Sequence, residues 1–226
     1  MKTISLAILS IALFMSACAD PAANKPKATT TAPAAAPASN APLLTDMGNA
    51  EVLAGFKVTG TELTIAPETS KVEFTGSKVT GKHDGGFKSF KGVIDLVDGK
   101  AEKSRVAFEI EMASLFSDSE GLTKHLQTGD FFEIEKFPKA SFISTGIAPP
   151  PGGNGNYTVT GELVMRGVKK SITFPATIDV KGDEANVKAE FSINRKDFGI
   201  VYAGKADDLI RDDVVLRLDL KGTKKK

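Results

Sequence analysis

Few side chains in this sequence could form a metal site or an acid–base pair. The two histidines, His83 and His125, lie far apart, and Asp84 directly follows the first. Nothing in the sequence brings a third ligand to either histidine, so the pattern favours a structural or surface role over metal binding. The one cysteine, Cys18, excludes an internal disulfide and a cysteine-based zinc site formed by these residues alone. We therefore expect no metal site.

Three polar segments remain as candidates. The acidic pairs 207–208 and 212–213 could bind Ca²⁺ through carboxylate oxygens, but they lack the ligand spacing of an EF-hand, so a solvated loop is favoured. Segment 194–197 (NRKD) is read as a hydrogen-bond network that braces a loop, in preference to a contact with a ligand. No G-x-S-x-G nucleophile motif is present. The sequence predicts neither an enzyme nor a cofactor.

The charge balance names no partner. The chain carries 29 Lys and Arg against 28 Asp and Glu, which lacks the basic excess typical of proteins that bind nucleic acid. With 41% hydrophobic and 25% charged residues, the composition is that of a soluble globular protein. We expect one folded domain and no nucleic-acid partner.

The N-terminal residues have the form of a bacterial address. Residues 1–17 begin with Lys2 and continue into an apolar run too short to span a bilayer, which predicts a signal peptide. Met15-Ser16-Ala17-Cys18 resembles a lipobox, so Cys18 is the predicted lipidation site and first mature residue; an ordinary signal peptide that leaves a free thiol is the alternative. Ala19 in place of Asp favours the outer over the inner membrane. We expect a lipoprotein of the bacterial cell envelope, on the periplasmic side of a membrane.

Residues 18–50 are predicted to be a lipidated terminus followed by a tether. They are rich in Ala, Pro, Thr and Asn and offer little apolar surface, so we expect an extended polyproline-like spacer. Residues 223–226 form a basic tail, for which a frayed end is favoured over contact with anionic lipid headgroups.

Residues 51–222 carry the folded domain. Eight segments alternate apolar and polar residues with a period of two and are separated by turn residues, which predicts an all-β, eight-stranded antiparallel barrel. Residues 181–184 predict a tight hairpin, and residues 117–132 predict a short helix that begins at Ser117 or Ser119 and crosses one barrel end. The alternation also predicts that Glu109 and Glu111 face water.

The inward faces of these strands are apolar. Either they form a packed core, or they leave room for one apolar ligand, since eight strands make about the smallest barrel that can hold one. Twelve side chains are the predicted lining of that lumen: Phe74, Phe90, Phe108, Ile110, Met112, Phe142, Leu163, Met165, Phe174, Phe191, Leu216 and Leu218.

Several ordered motifs resemble the YceI-like family of periplasmic lipocalin-type barrels. The resemblance extends from about residue 62 to residue 221 and includes KHDGGFKSFKG (82–92), LQTGDFFEIEKFP (126–138), NYTVTGELVMRGVKK (156–170), INRKDFGI (193–200) and IRDDV (210–214). The resemblance implies that the lumen takes the isoprenoid tail of a quinone or polyprenyl lipid, for storage or transfer. A structural or stress-related envelope barrel without a ligand is the alternative, and a homodimer is an open option for its assembly.

Overall fold

The computed structural model describes residues 19–33, 52–149 and 156–224. The predicted signal peptide, Cys18 and residues 34–50 of the predicted tether lie outside the described residues. The strands are β1 (Thr29–Thr31), β2 (Thr61–Ile65), β3 (Lys71–Lys78), β4 (Gly81–Phe87), β5 (Phe90–Leu96), β6 (Arg105–Glu111), β7 (Leu115–Ser117), β8 (Lys139–Ala148), β9 (Asn156–Met165), β10 (Val168–Lys181), β11 (Glu184–Asn194), β12 (Gly204–Lys205), β13 (Asp208–Leu209) and β14 (Asp213–Thr223). One α-helix, α1 (Glu120–Leu126), and 3₁₀ turns at Val52–Gly55, Ala101–Lys103, Met112–Ser114 and Arg195–Phe198 complete the described elements.

Eight antiparallel strands close into a barrel, as predicted. Three of them are interrupted, and each consists of two consecutive elements: β2 with β3, β4 with β5, and β6 with β7. On one side of the β4–β5 strand, β3 pairs with β4 and β2 with β5. On its other side, β7 pairs with β4 and β6 with β5. Neighbours along the chain then pair through β8, β9, β10, β11 and β14. The last strand, β14, pairs with both β2 and β3 and closes the ring.

The period-two pattern of the sequence explains which faces are buried. In β10, Ile172, Phe174, Ala176 and Ile178 are buried and alternate with more exposed residues. Phe174 stacks on Phe191 of β11 with ring centroids 4.2 Å apart. One-sided burial of this kind is what a sheet with a wet outer face requires.

The predicted hairpin and helix are both present. β10 ends at Lys181 and β11 begins at Glu184, and Gly182 adopts a positive φ of 57° that favours glycine. Ser119 caps α1 by accepting a hydrogen bond from the backbone N–H of Leu122 at 3.4 Å. The loop between β8 and β9 contains residues 150–155, which are outside the described residues.

Part of the predicted tether is a strand of the barrel wall, which corrects the spacer prediction for residues 26–31. β10 and β11 pair only between Thr177–Lys181 and Glu184–Lys188, and the N-terminal segment fills the space beyond. β1 pairs with β10, while Ala28 N donates to Ser192 O and Ser192 N to Pro26 O, both at 2.8 Å. Ala28 is buried in the same cluster as Phe174.

The predicted tail is also shorter than expected. Thr223 is the last residue of β14, and Lys224 N donates to Asp183 O at 3.3 Å. The end of β14 is therefore held by the β10–β11 hairpin, and the barrel extends to residue 224.

The prediction that Glu109 faces water is wrong. Its side chain does point to the outer face of β6, but the 3₁₀ turn Val52–Gly55 covers it there. Leu53 N donates to the Glu109 carboxylate at 2.9 Å, and Lys139 Nζ lies 3.4 Å from it. Glu111, two residues further on, is 42% exposed and lies 3.6 Å from Lys139 Nζ.

A second buried carboxylate holds the chain before β2. Asp95 accepts hydrogen bonds from Thr59 N at 3.0 Å, Gly60 N at 2.7 Å and Arg105 at 3.0 Å, and it is fully buried. Burial opposes ionisation, but these hydrogen bonds outweigh it and lower the pKa of Asp95.

Candidate ligand-binding cavity

The barrel encloses an apolar cavity with a volume of about 420 Å³. All eight barrel strands contribute to its wall, and most of the lining side chains are Phe, Leu, Ile, Val or Met. This volume lies within the range of roughly 300–1,000 Å³ that is typical of small-molecule pockets. The inward face of the barrel is therefore not filled by its own side chains.

Eleven of the twelve side chains predicted to line the lumen do line it: Phe74, Phe108, Ile110, Met112, Phe142, Leu163, Met165, Phe174, Phe191, Leu216 and Leu218. Met112 does so from the 3₁₀ turn that follows β6 rather than from a strand. Phe90 is the exception. It is buried at the start of β5, where its ring stacks on Phe108 at 5.3 Å, and Phe108 is the member of the pair that reaches the cavity.

One end of the cavity is covered by the helix and the residues after it. Leu122 and Leu126 of α1, with Phe131 and Phe132, line the cavity at this end. They were missed as lining residues, although their spacing had predicted the helix across a barrel end. A helix laid over an opening must turn its apolar side toward the cavity, so that inference was available from the sequence.

His125 has a structural role, as predicted. It contacts Asp130 at 2.8 Å and meets Phe131 and Tyr202 edge-on, with ring centroids 5.0 and 5.1 Å apart. These contacts tie α1 to the loop after the Arg195–Phe198 turn. No cluster of three potential metal ligands occurs among the described residues.

The two ends of the barrel differ. At the end away from α1, the turn Ala101–Lys103 crosses the barrel to contact β8 and β10, and Ala101 is buried against the core. At the α1 end, Lys78 and His83 line the cavity and are partly exposed. We call the α1 end the mouth, because the cavity reaches the partly exposed Lys78 and His83 beside α1. At the other end Ser104 and Arg105 also line the cavity, next to the Ala101–Lys103 turn that crosses it.

Segment 194–197 braces this mouth by hydrogen bonds, as predicted. The buried Arg195 donates to Ile200 O at 2.7 Å and to Arg211 O at 3.1 Å, and lies 3.2 Å from Asp212. Burial lowers the pKa of Arg195, and the charge of Asp212 opposes that shift. Since guanidinium groups stay protonated in proteins, these acceptors hold a fixed charge at the edge of the cavity.

In the two acidic pairs, Asp208, Asp212 and Asp213 form ion pairs with neighbouring cations; Asp213 lies 2.8 Å from Lys27. Asp208 bonds to Lys78, which lowers the pKa of Asp208, and it accepts a hydrogen bond from Thr80 at 2.9 Å. Asp212 lies 2.8 Å from Lys196. Asp208 thus joins the β12–β13 hairpin to the β3–β4 turn, and Asp212 holds the Arg195–Phe198 turn to the start of β14.

Among the residues the structure describes, no helix has the length and hydropathy needed to cross a membrane.

Comparisons with known proteins agree with this architecture. A UPF0312 protein of Pseudomonas putida is 33% identical over 136 residues, which cover 58% of this chain and 70% of the relative. The structure of Burkholderia cenocepacia BcnA matches with a TM-score of 0.64 and 25% identity, covering 70% of this chain and 99% of BcnA. A polyisoprenoid binding domain from Saccharophagus degradans matches with a TM-score of 0.60 over 74% of this chain and 100% of that domain; at 15% identity it supports the fold alone. The YceI-like domain model matches residues 63–222, and the chain therefore belongs to the YceI-like family.

Proposed function

We propose that this protein binds the isoprenoid tail of a quinone or polyprenyl lipid inside the barrel and holds it, chemically unchanged, for storage or transfer. The observation that carries the proposal is the cavity, whose wall is apolar along the whole barrel, with a few polar and charged side chains at its ends. An isoprenoid tail is long and apolar, and moving it from water into such a site gains roughly 25 cal/mol per Å² of buried surface. Isoprenoid binding by the Saccharophagus degradans domain of the same fold is consistent with this reading.

We also propose a direction for the ligand. Its tail would run along the lumen from the mouth, past the aromatic stack of Phe174 and Phe191, toward the turn at Ala101–Lys103, with the headgroup at the mouth near Lys78 and His83. Methyl-branched isoprene units suit a wall of mixed Phe, Leu, Ile and Met, since these side chains adapt to irregular shapes.

Native mass spectrometry of protein purified gently from a quinone-producing bacterium tests the proposal. We expect a bound lipid, and affinity for added analogues that rises with the number of isoprene units until the cavity is full. Affinity should change little with salt because the contact is apolar. A barrel that is empty and takes up neither ubiquinone nor polyprenyl analogues would favour the alternative, a structural envelope barrel without a ligand.

The membrane tether is part of the same proposal. Cys18 in its lipobox-like context is the proposed site of lipidation, and its acyl chains would hold the barrel at the periplasmic face of a membrane, with the outer membrane favoured. Cys18→Ser should move the protein from the membrane to the soluble fraction. Mass spectrometry that finds the mature wild-type protein unmodified and soluble would refute the anchor without bearing on the cavity.

A further inference from the structure

Three large apolar side chains are exposed at one end of the barrel. Val79, Val201 and Leu209 are 47%, 64% and 50% exposed, and they are the exposed large hydrophobic residues among those the structure describes. A single exposed apolar side chain is ordinary in a soluble protein. Their common position is the informative feature, and we call these three residues the apolar rim.

Backbone contacts bring the apolar rim together. Val79, at the β3–β4 turn, donates its N–H to Leu209 O at 3.2 Å. Leu209 lies in β13, which pairs with β12, and Ile210 N donates to Ala203 O at 3.0 Å. This second contact places the β12–β13 hairpin beside the loop that carries Val201.

The apolar rim borders the mouth of the cavity. Each of its members is next in sequence to a residue that lines the cavity: Lys78 precedes Val79, Ile200 precedes Val201, and Ile210 follows Leu209. A surface in contact with the rim therefore also faces the opening through which a ligand would pass.

Two cations beside the apolar rim lie next to anions. Lys78 is bonded to Asp208, and Arg211 lies 3.4 Å from Asp20. The hairpin that carries Leu209 contains Lys205 together with Asp207 and Asp208, so it has no excess of positive charge. Contact with a surface through this rim would then depend on apolar insertion rather than on attraction to negative charge.

The segment that begins with residues 19 and 20 contacts the same end of the barrel. Asp20, whose carboxylate contacts Arg211 of the loop that bears Leu209, is only two residues after Cys18 in the sequence. A lipid on Cys18 would thus enter the bilayer beside the mouth. The Lys181–Glu184 hairpin lies at the other end of the barrel.

We propose that the apolar rim inserts into the interface of a phospholipid bilayer, so that the mouth opens onto the membrane and an isoprenoid passes between bilayer and barrel without crossing water. The cargo in this statement rests on the proposed function. The contact with the bilayer rests on the apolar rim itself, with the proposed anchor at Cys18 as further support, and it can be tested separately.

The chain has no tryptophan, so single-Trp variants report on one position each. We would compare Val79→Trp and Leu209→Trp with Asp183→Trp, a control at the opposite hairpin where the side chain is also exposed. The full-length proteins are bound to phosphatidylcholine vesicles that contain brominated phosphatidylcholine, which quenches tryptophan on contact. We expect quenching at both rim positions and little at the control, with or without anionic lipid. Equal quenching at all three positions, or none at the rim, would overturn the proposal.

A second measurement connects the rim to lipid exchange. The double variant Val79→Asp with Leu209→Asp should slow uptake of ubiquinone from vesicles by at least about tenfold, since two apolar contacts with the bilayer are lost. Uptake of the same ligand from detergent solution should not change, because the cavity wall is intact. Equal slowing in detergent would locate the defect in the cavity and overturn the docking role, whereas rim quenching would support docking even if no lipid is found in the barrel.

Discussion

Leu218→Asn tests whether the isoprenoid tail lies in the lumen. Leu218 is on β14, where it pairs with Val72 of β3 and Ala189 of β11, and its side chain lines the cavity. It packs against both of the large buried clusters, so it lies where any long apolar ligand must pass. Asparagine is similar in size to leucine, but its side-chain amide can form hydrogen bonds with water only while no ligand fills the cavity.

The expected loss of affinity follows from two terms. Covering the amide with hydrocarbon, without a hydrogen-bond partner, costs about 1–3 kcal/mol in protein mutational data. Losing the apolar contact of the leucine removes about 1.5 kcal/mol more. Together these give roughly 2.5–4.5 kcal/mol, which corresponds to binding that is about 60- to 2,000-fold weaker.

The assay is a titration with ubiquinone followed by native mass spectrometry and by the ligand-induced rise in melting temperature, which reports binding to the folded state. Asp219→Asn is the matched control, because its side chain is the next along β14, points outward and is 60% exposed beside Lys188. We expect its affinity to stay within about twofold of wild type. A folded Leu218→Asn protein that binds as tightly as wild type would refute a tail in the lumen.

Three further predictions concern the fold. Glu109→Lys should lower the free energy of unfolding by about 2–4 kcal/mol, measured by urea denaturation, because it removes a buried hydrogen-bond acceptor and places a second cation beside Lys139. Glu111→Lys, on the same face of β6, should cost less than about 1 kcal/mol. Equal costs for the two variants would contradict the covered position of Glu109. Ala28→Asp should destabilise the barrel by about 2–4 kcal/mol by the same measurement if β1 is part of the wall, and a neutral result would return the segment to a free spacer. The lowered pKa of Asp95 means that its ionised form stabilises the fold above the unfolded value of about 3.9 and that this contribution is lost as the pH falls through the lower folded value. Asp95→Asn should therefore be less stable at neutral pH and flatter between about pH 5 and pH 2, and a parallel pH profile would refute this assignment.

The alternation of apolar and polar residues was enough to predict which side chains face the lumen. Phe108 and Ile110 line the cavity while Glu109 points outward, as a period of two requires. The same pattern could not predict what lies on the outer face. The turn at Val52–Gly55 covers Glu109 across a sequence separation that no local pattern encodes, and a polar residue on an outer face became a buried one.

Strand interruptions set a second limit. β2 is short, and only two of its residues, Leu63 and Ile65, are buried and apolar. The predicted number of strands is correct because β2 and β3 together form one barrel strand, as both pair with β14. Phe90 lies at the break between β4 and β5. Its ring stacks on Phe108, and Phe108 rather than Phe90 lines the cavity there.

The N-terminal segment shows that composition alone does not predict a strand whose backbone partners come from the exposed edges of β10 and β11. A stretch of Ala, Pro and Thr has little apolar surface of its own, and alone it favours an extended, unpaired chain. Its stability comes from the backbone groups of β10 and β11, which separate beyond Thr177 and Lys188 and would otherwise lack partners. Backbone pairing does not depend on side chains, so no sequence signal marks it. A spacer of about thirty residues would let the barrel rotate freely above a membrane, whereas a segment in contact with the barrel from Asp20 onward limits the orientations that an anchor at Cys18 would permit.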